Sequence, residues 1–336
     1  MEVICIRVDI IGGGISGLSS AISIKKLNKN IKVIIHEKHK RIGYNPEGRR
    51  CGEAHSVERE WKKWKPAKNS IFNEIHTVKT IVGDKTYTLK RKPGTSCILN
   101  RQEFICQLGK EAKKLGTEII TNDKIKKVEE LNGKYIIDAS GCPSKIKKIL
   151  NIKQKNIGIT YQQTLENSNY FNKDTVKIFL TVNNGYFWIF PRDPEKKEIN
   201  LGVGISNRKN IDIKKNLEEF KKIHNIKGEI NYTLGGLIPV GLQNPFKYKN
   251  ILFVGDAGVG TMPITGEGIY RALLSGDIAA KCIVQNKVKR YPYEIFRNFM
   301  KWQIIGMNML KISDIANQIG EKAVVFLWNK FFDRLY

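Results

Sequence analysis

Val8-Asp9-Ile10-Ile11-Gly12-Gly13-Gly14-Ile15-Ser16-Gly17 decides the fold of this 336-residue chain. The apolar run at residues 8–11 reads as a buried strand, and residues 18–26 as the helix that leaves it. Between them, Gly12 permits a tight turn, Gly14 lets backbone approach a pyrophosphate, and Gly17 lets the helix pack on the strand. Ser16 lies where that helix opens, and N–H groups at a helix start face phosphate oxygens. A second strand, residues 31–36, ends at Glu37, 20 residues beyond Gly17. An acid at that spacing accepts ribose hydroxyls. A lone G-x-G-x-x-G is a weak signal; strand, helix and acid in this order make it a dinucleotide site.

A second glycine-rich segment near the other end says which dinucleotide. It is Gly255-Asp256-Ala257-Gly258, running on to Pro263-Ile264-Thr265-Gly266-Glu267-Gly268. Nicotinamide enzymes need only the first segment. Here Asp256 is placed to grip a ribityl chain, so the expected cofactor is FAD. Residues 251–254 read as the strand that delivers Asp256. Gly266 and Gly268 open a helix at residues 269–284, whose N–H groups would meet the flavin's pyrimidine edge and stabilise an anionic reduced ring. Arg101 precedes a helix at 102–115 and is placed to reach the phosphate or ribityl edge. Residues 119–125 and 135–138 read as returning strands, the second closed by the small-residue turn Asp138-Ala139-Ser140-Gly141.

Composition bounds the rest. The length exceeds a usual single core, so two closely packed domains are expected. The N-terminus shows no positively charged, cleavable apolar leader, and no run reaches the roughly 18 apolar residues of a spanning helix. Six cysteines include no C-x-x-C pair, and five histidines show no metal spacing, so reduced thiols and no metal site are expected. Lys and Arg total 58 against 32 Asp and Glu, a formal +26. Such a field attracts nucleic acid or anionic membrane. No nucleic-acid module accompanies it, which leaves a solvated surface or membrane phospholipid.

Residues 75–90 read as a hairpin turning at Gly83-Asp84. Residues 176–205 hold three more strands. The distinctive one carries Tyr186-Phe187-Trp188-Ile189-Phe190-Pro191-Arg192, followed by Gly202-Val203-Gly204. Alternation puts Tyr186, Trp188 and Phe190 on one face. Glycines at 202 and 204 predict room beside that stripe for a ligand. Residues 206–228 are polar with a short helix, and 237–240 read as a strand returning to the cofactor domain. The last 45 residues are helical and aromatic, either packing on the core or docking on a lipid surface.

Taken together, these motifs resemble the geranylgeranyl reductase family, within the para-hydroxybenzoate hydroxylase-like flavoproteins. Its archaeal digeranylgeranylglycerophospholipid reductases look closest. Tyr186-x-Trp188-x-Phe190-Pro191-Arg192 with Gly202-x-Gly204 is similar to the family's substrate pattern, although Arg192 stands where lysine is more usual. The run 263–269 is similar to its flavin site. Arg50-Cys51-Gly52-Glu53-Ala54 sits where the family has a cysteine-containing loop over the isoalloxazine. By that match Ser16, Glu37, Cys51, Gly52, Ala54, Arg101, Ile125, Asp256, Gly268 and Ile269 should contact FAD, and Tyr186, Trp188, Phe190 and Pro191 should line the substrate.

The resemblance implies an α/β (α+β two-domain) fold. A Rossmann-like FAD-binding domain is expected over 1–55, 96–150 and 246–290. An interleaved antiparallel-sheet substrate domain should take 56–95 and 151–245, and C-terminal helices 291–336. It implies saturation of isolated double bonds in geranylgeranyl chains of a prenylated phospholipid, by hydride from reduced flavin, in a dry pocket. Cys51, Glu53 and a flavin-bound water are the candidate proton donors. The electron donor stays open between NAD(P)H and a ferredoxin-like protein. A cytoplasmic protein peripheral on the membrane is expected, with no nucleic acid partner. Two alternatives stand: a flavin monooxygenase of the same fold, disfavoured by Gly258 where many carry histidine, and a prenyl-lipid carrier without redox chemistry.

Overall fold

The structure, a computed structural model, describes residues 6–44, 52–56, 63–181, 185–206 and 211–335. The fold is α/β, divided into two compact units that each gather three stretches of chain. The first is Met1–Asn45, Gln102–Ile157 and Ile238–Gly306; the second is Pro46–Arg101, Gly158–Leu237 and Met307–Tyr336.

The first unit is built on a six-stranded sheet. Its order is Lys247–Tyr248, Ile251–Phe253, Tyr135–Asp138, Arg7–Ile11, Lys32–His36, Glu118–Ile120. All pairings are parallel except that of the Lys247–Tyr248 edge. Residues 8–11, 33–36 and 135–138 are buried without alternation, as a parallel sheet covered on both faces requires. The glycine-loop helix, Ile15–Leu27, packs along Ile269–Val284 on small residues. A Cβ on Gly276 would overlap Ser19 Oγ, so the two helices approach too closely for any larger side chain. Ser19 and Ser20 donate their hydroxyls to the Ser16 carbonyl, and Ser23 donates to Asp277 at 2.8 Å. The buried hydroxyls are thereby satisfied.

The second unit holds a seven-stranded sheet and a three-stranded one. The larger runs Glu229–Pro239, Ile157–Glu166, Glu198–Ile205, Gly185–Asp193, Thr175–Thr181, Thr77–Val82, Lys85–Lys90. The smaller runs Ala54–Ser56, Ser96–Leu99, Ile71–Glu74. One face of the larger sheet carries Leu165, Ile189, Ile199, Leu201, Val203 and Ile205. The helix Ile213–Ile223 covers it with Leu217 and Phe220, and the Phe187 ring stacks on Phe220 at 4.1 Å. Period-2 alternation sends the neighbouring residues to the opposite face.

Four expectations change. Strand 119–125 shortens to Glu118–Ile120, because the chain turns at Asn122 with a positive φ. Residues 237–239 belong to the end of the long strand Glu229–Pro239, at the edge of the larger sheet. Ala54–Ser56 and Ser96–Leu99, placed by sequence in the cofactor domain, pair with each other in the second unit. The C-terminal helices, Tyr291–Ile319 and Glu321–Phe332, form no third domain: residues up to Gly306 group with the first unit and those from Met307 with the second.

Candidate active site

In the first unit, three glycines of the opening loop have three different steric jobs. A Cβ on Gly12 would press on the Ala139 carbonyl oxygen at 2.6 Å, and one on Gly17 would overlap the Gly12 carbonyl. Those two positions close strand against crossover and helix against turn. Gly14, by contrast, has nothing within 4 Å of its Cβ position. It caps Ile15–Leu27 without a side-chain hydrogen bond, and the first turn of that helix carries no acid. Open space, first-turn N–H groups that have no intrahelical acceptor and a helix dipole with no acid beside it are what a diphosphate needs. The residues present therefore fit FAD at this end.

Glu37 stands at the end of Lys32–His36, beside that loop. Its Oε2 accepts the Gly13 N–H at 2.7 Å, and its Oε1 accepts the His39 N–H at 2.9 Å. A carboxylate has lone pairs to spare for ribose hydroxyls while it holds the loop. His36, just before it, lies between Asp9 and Asp123, with Nδ1 2.7 Å from Asp123 and Nε2 3.5 Å from Asp9. Burial opposes its charge, but the two carboxylates outweigh burial and raise the imidazole above its ordinary value.

Asp256 lies in a short turn of helix, Gly255–Ala257, after Ile251–Phe253. Gly255 packs where a Cβ would sit 2.5 Å from Ser16 Oγ, so the aspartate turn lies directly on the start of the glycine-loop helix. Asp256 Oδ1 is 3.9 Å from the Cβ position of Gly268. The fold thus gathers Ser16, Asp256 and Gly268, which the sequence separates widely. Gly266 closes the intervening turn, its N–H donating to the Met262 carbonyl, and Ile269 begins the helix Ile269–Val284. Ile125 turns its side chain into a core cluster with Ile11, Ile136 and Phe253, which leaves its backbone as the group to offer a cofactor. Arg101 is the first residue of Arg101–Lys114.

In the second unit, Trp188 organises the predicted substrate face. It is 6% exposed, and its indole N–H donates to Gln162 Oε1 at 3.1 Å. The rings of Tyr186 and Phe190 flank it at 5.8 and 6.2 Å. The room that Gly202 leaves is not an empty cavity, as the sequence suggested. Gly202 is the cross-strand partner of Trp188, and its Cβ would overlap the indole; at Gly204 the same ring lies 3.5 Å away. The glycines make space for tryptophan, and tryptophan presents the surface.

Gly52 sits on this face too, where a Cβ would meet Phe190 Cε2 at 2.5 Å and Trp188 Nε1 at 3.3 Å. Ala54 and Phe190 each pack against the cluster of Ile75, Ile98 and Val176. Cys51 lies outside the described residues.

Glu53, expected as a candidate proton donor, pairs with Arg192. It is 3% exposed, sits at φ 67°, and accepts Arg192 Nε at 2.7 Å and Asn200 Nδ2 at 3.3 Å. Arg192 also donates to Glu198 and lies 3.8 Å over the Phe72 ring. Burial opposes the arginine's charge, but Glu53, Tyr232 and Glu198 outweigh it and raise its ionisation above the ordinary value. A carboxylate that accepts from a guanidinium and an amide has the geometry of a counter-ion to Arg192. Pro191 contributes its carbonyl, which accepts Asn73 Nδ2 at 3.0 Å.

Sequence reasoning missed Gln162, Asn200, Glu198 and Arg271. Asn200 Nδ2 donates to the Gly52 carbonyl at 3.2 Å, fixing Gly52 on the aromatic face. Gln162 Nε2 is buried without a hydrogen-bond partner among the described residues. Both lie on strands paired through Glu198–Ile205, and their side of the sheet could have been read only after pairing Gly202 with Trp188 and Gln162.

Comparison with known proteins follows these two regions. Residues 156–237 match the family described as the geranylgeranyl reductase catalytic domain, and residues 10–65 an NAD(P)-binding Rossmann-like domain. A digeranylgeranylglycerophospholipid reductase of Methanocaldococcus jannaschii is 25% identical over 377 aligned positions, covering 98% of this chain and 94% of that one. The corresponding Sulfolobus acidocaldarius protein is 24% identical, over 82% and 68%. An uncharacterized Methanosarcina barkeri protein is 28% identical over 71% of this chain, and the match spans 64% of that relative. Among solved structures, a geranylgeranyl bacteriochlorophyll reductase-like protein from Thermoplasma acidophilum superposes with TM-score 0.79 at 22% identity, over 95% and 91% of the two chains. A flavin-dependent halogenase superposes with TM-score 0.70 at 16% identity, over 90% and 64%.

Proposed function

We propose that this FAD-dependent reductase, which carries the geranylgeranyl reductase catalytic domain, saturates isolated double bonds in the geranylgeranyl chains of a prenylated glycerophospholipid. The observation that carries the reading is the Trp188 face. Gly202, Gly204 and Gly52 have given up side chains so that Tyr186, Trp188 and Phe190 can form one apolar surface, and all of these but Gly52 lie inside the segment that matches the catalytic domain.

When bound, FAD supplies hydride to one alkene carbon. The chain's residues do the rest. The aromatic face holds an apolar chain and excludes water. Its electron-rich rings favour cationic character at the more substituted carbon as hydride arrives. The hydride belongs on that more substituted carbon and a proton must reach the less substituted one, so each saturated bond takes up one hydride and one proton. The ion pair of Glu53 with Arg192 leaves Cys51 and a flavin-bound water as donors. The electron donor is NAD(P)H or a ferredoxin-like protein. The formal charge of +26 supports a peripheral station on anionic lipid, and no helix among the described residues is long and apolar enough to cross a membrane.

The test is anaerobic. Purified protein is reduced with dithionite and given a digeranylgeranyl glycerophospholipid, and lipid mass is followed with the flavin spectrum. A gain of two hydrogens per bond with flavin reoxidation is expected. Stably reduced flavin beside unchanged lipid would sink this substrate and reaction, and an oxygenated product in air would identify the monooxygenase reading instead.

A further inference from the structure

Arg271 is the third residue of the helix Ile269–Val284 and is 5% exposed. It makes no ion pair among the described residues. Its Nε donates to the Gly260 carbonyl at 2.9 Å and Nη2 to the Val259 carbonyl at 2.6 Å, and its guanidinium lies 4.6 Å from the centre of the Phe299 ring. Asp256 and Glu267 reach it only through their fields. Burial pulls its ionisation down to about 10, and those two carboxylates offset only part of that.

A buried charge is costly unless paired. Two carbonyls and a ring could be met by a neutral amide or thioether of similar length, without that cost. The neighbouring backbone has the same sign. Gly268 offers the helix no side-chain cap, and the first turn holds no acid, so the N-terminal partial charge is also uncompensated. The carbonyls that Arg271 grips belong to the segment that runs on from Asp256 to Thr261, and Thr261 packs against Gly268. Two positive elements therefore stand together in the wall that would hold the flavin.

We propose that Arg271 is the fixed positive charge that stabilises the anionic, reduced form of bound FAD, and thereby sets how readily this protein's flavin accepts electrons. The inference rests on the FAD reading and not on the identity of the lipid. The competing role is mechanical, a brace for the loop at 259–260.

Charge and brace separate in two variants, Arg271→Lys and Arg271→Gln, read as the midpoint potential of the bound flavin by anaerobic dye titration and as the dissociation constant of oxidised FAD. R271K keeps the charge with poorer geometry and should hold a potential close to the wild type. R271Q keeps a donor without charge. It should lose about tenfold in its preference for reduced over oxidised FAD, a fall of about 30 mV for a two-electron couple. Its affinity for oxidised FAD should change far less. A wild-type potential in R271Q, with only the unfolding midpoint lowered, would make Arg271 a brace and overturn the proposal; so would an equal fall in both variants. If R271Q does not accumulate folded, R271M removes the same charge while keeping an unbranched stem beside Phe299, and the same ratio is read. Wild-type protein that binds no FAD overturns the cofactor reading itself, and its absorbance spectrum reveals this before any potential is measured.

Discussion

At the scale of single residues, the site depends on what is missing as much as on what is present. Gly202 is occupied space, since its cross-strand partner Trp188 lies on it. Gly202→Ala should therefore displace the indole, destabilise the protein by about 1–3 kcal/mol in urea unfolding, and lower lipid turnover with FAD content unchanged. Wild-type stability in G202A would mean the ring does not rest there. Glu53 makes the opposite point. As a buried counter-ion to Arg192, it should cost about 3 kcal/mol when replaced by Gln, with Glu198 still holding the guanidinium. Whatever E53Q folds should still reduce the alkene, because the proton comes from elsewhere; a folded, FAD-loaded but inert E53Q would restore Glu53 as the donor. The aromatic stripe was legible in the sequence from alternation alone. That Trp188 fills the space over Gly202 was not, because cross-strand register is a long-range property.

At the scale of elements, the strand Tyr135–Asp138 lies where the sequence places it, whereas the glycine-loop helix, read as 18–26, starts three residues earlier at Ile15. Ile269–Val284 lies where the sequence places a helix. The start of Ile15–Leu27 permits a clean test, because Gly14 has open space and an ordinary extended backbone, φ −83°. Gly14→Asp should leave the FAD-free protein as stable as before, or up to about 1 kcal/mol more so through capping and the helix dipole. Its carboxylate would nevertheless repel a diphosphate, so FAD affinity should fall at least tenfold by titration. Unchanged affinity would remove the cofactor from this helix.

The neighbouring strand ends predict a pH effect. His36 is raised in the folded protein by Asp9 and Asp123, and Asp9 is lowered: burial opposes its charge, but the bonds from His36, Arg7 and Gly133 prevail. The histidine's contribution is complete below its unfolded value near 6.5 and is lost as pH rises through its higher folded value. The aspartate's contribution is present above 3.8 and is lost as pH falls through its lower folded value. His36→Asn should flatten the decline of stability on the alkaline side of 6.5, measured by urea midpoints across pH; an unchanged slope would exclude this network as its source.

At the scale of the whole molecule, each unit draws on three separated stretches of chain. Ligand linkage is the direct check on the first. At about 100 times its dissociation constant, FAD should add about 2.7 kcal/mol to unfolding, and G14D should abolish most of that gain at the same concentration. No gain in the wild type would leave the glycine cradle without its ligand.

By itself, the sequence determined that a dinucleotide fold is present, that the cofactor is FAD, and that one aromatic stripe lies beside paired glycines. These are local signals, carried by spacing and period within a few residues, and they survive without knowledge of any partner. Only the tertiary structure decided that Gly255, next to Asp256, packs on Ser16, that Asp256 lies beside Gly268, and that Glu53 pairs with Arg192. It alone drew Ala54–Ser56 and Ser96–Leu99 out of the cofactor domain, and it alone exposed the buried charge of Arg271. Each of these depends on contacts between segments far apart in the chain, where burial and pairing set what a side chain does, and no local pattern encodes them.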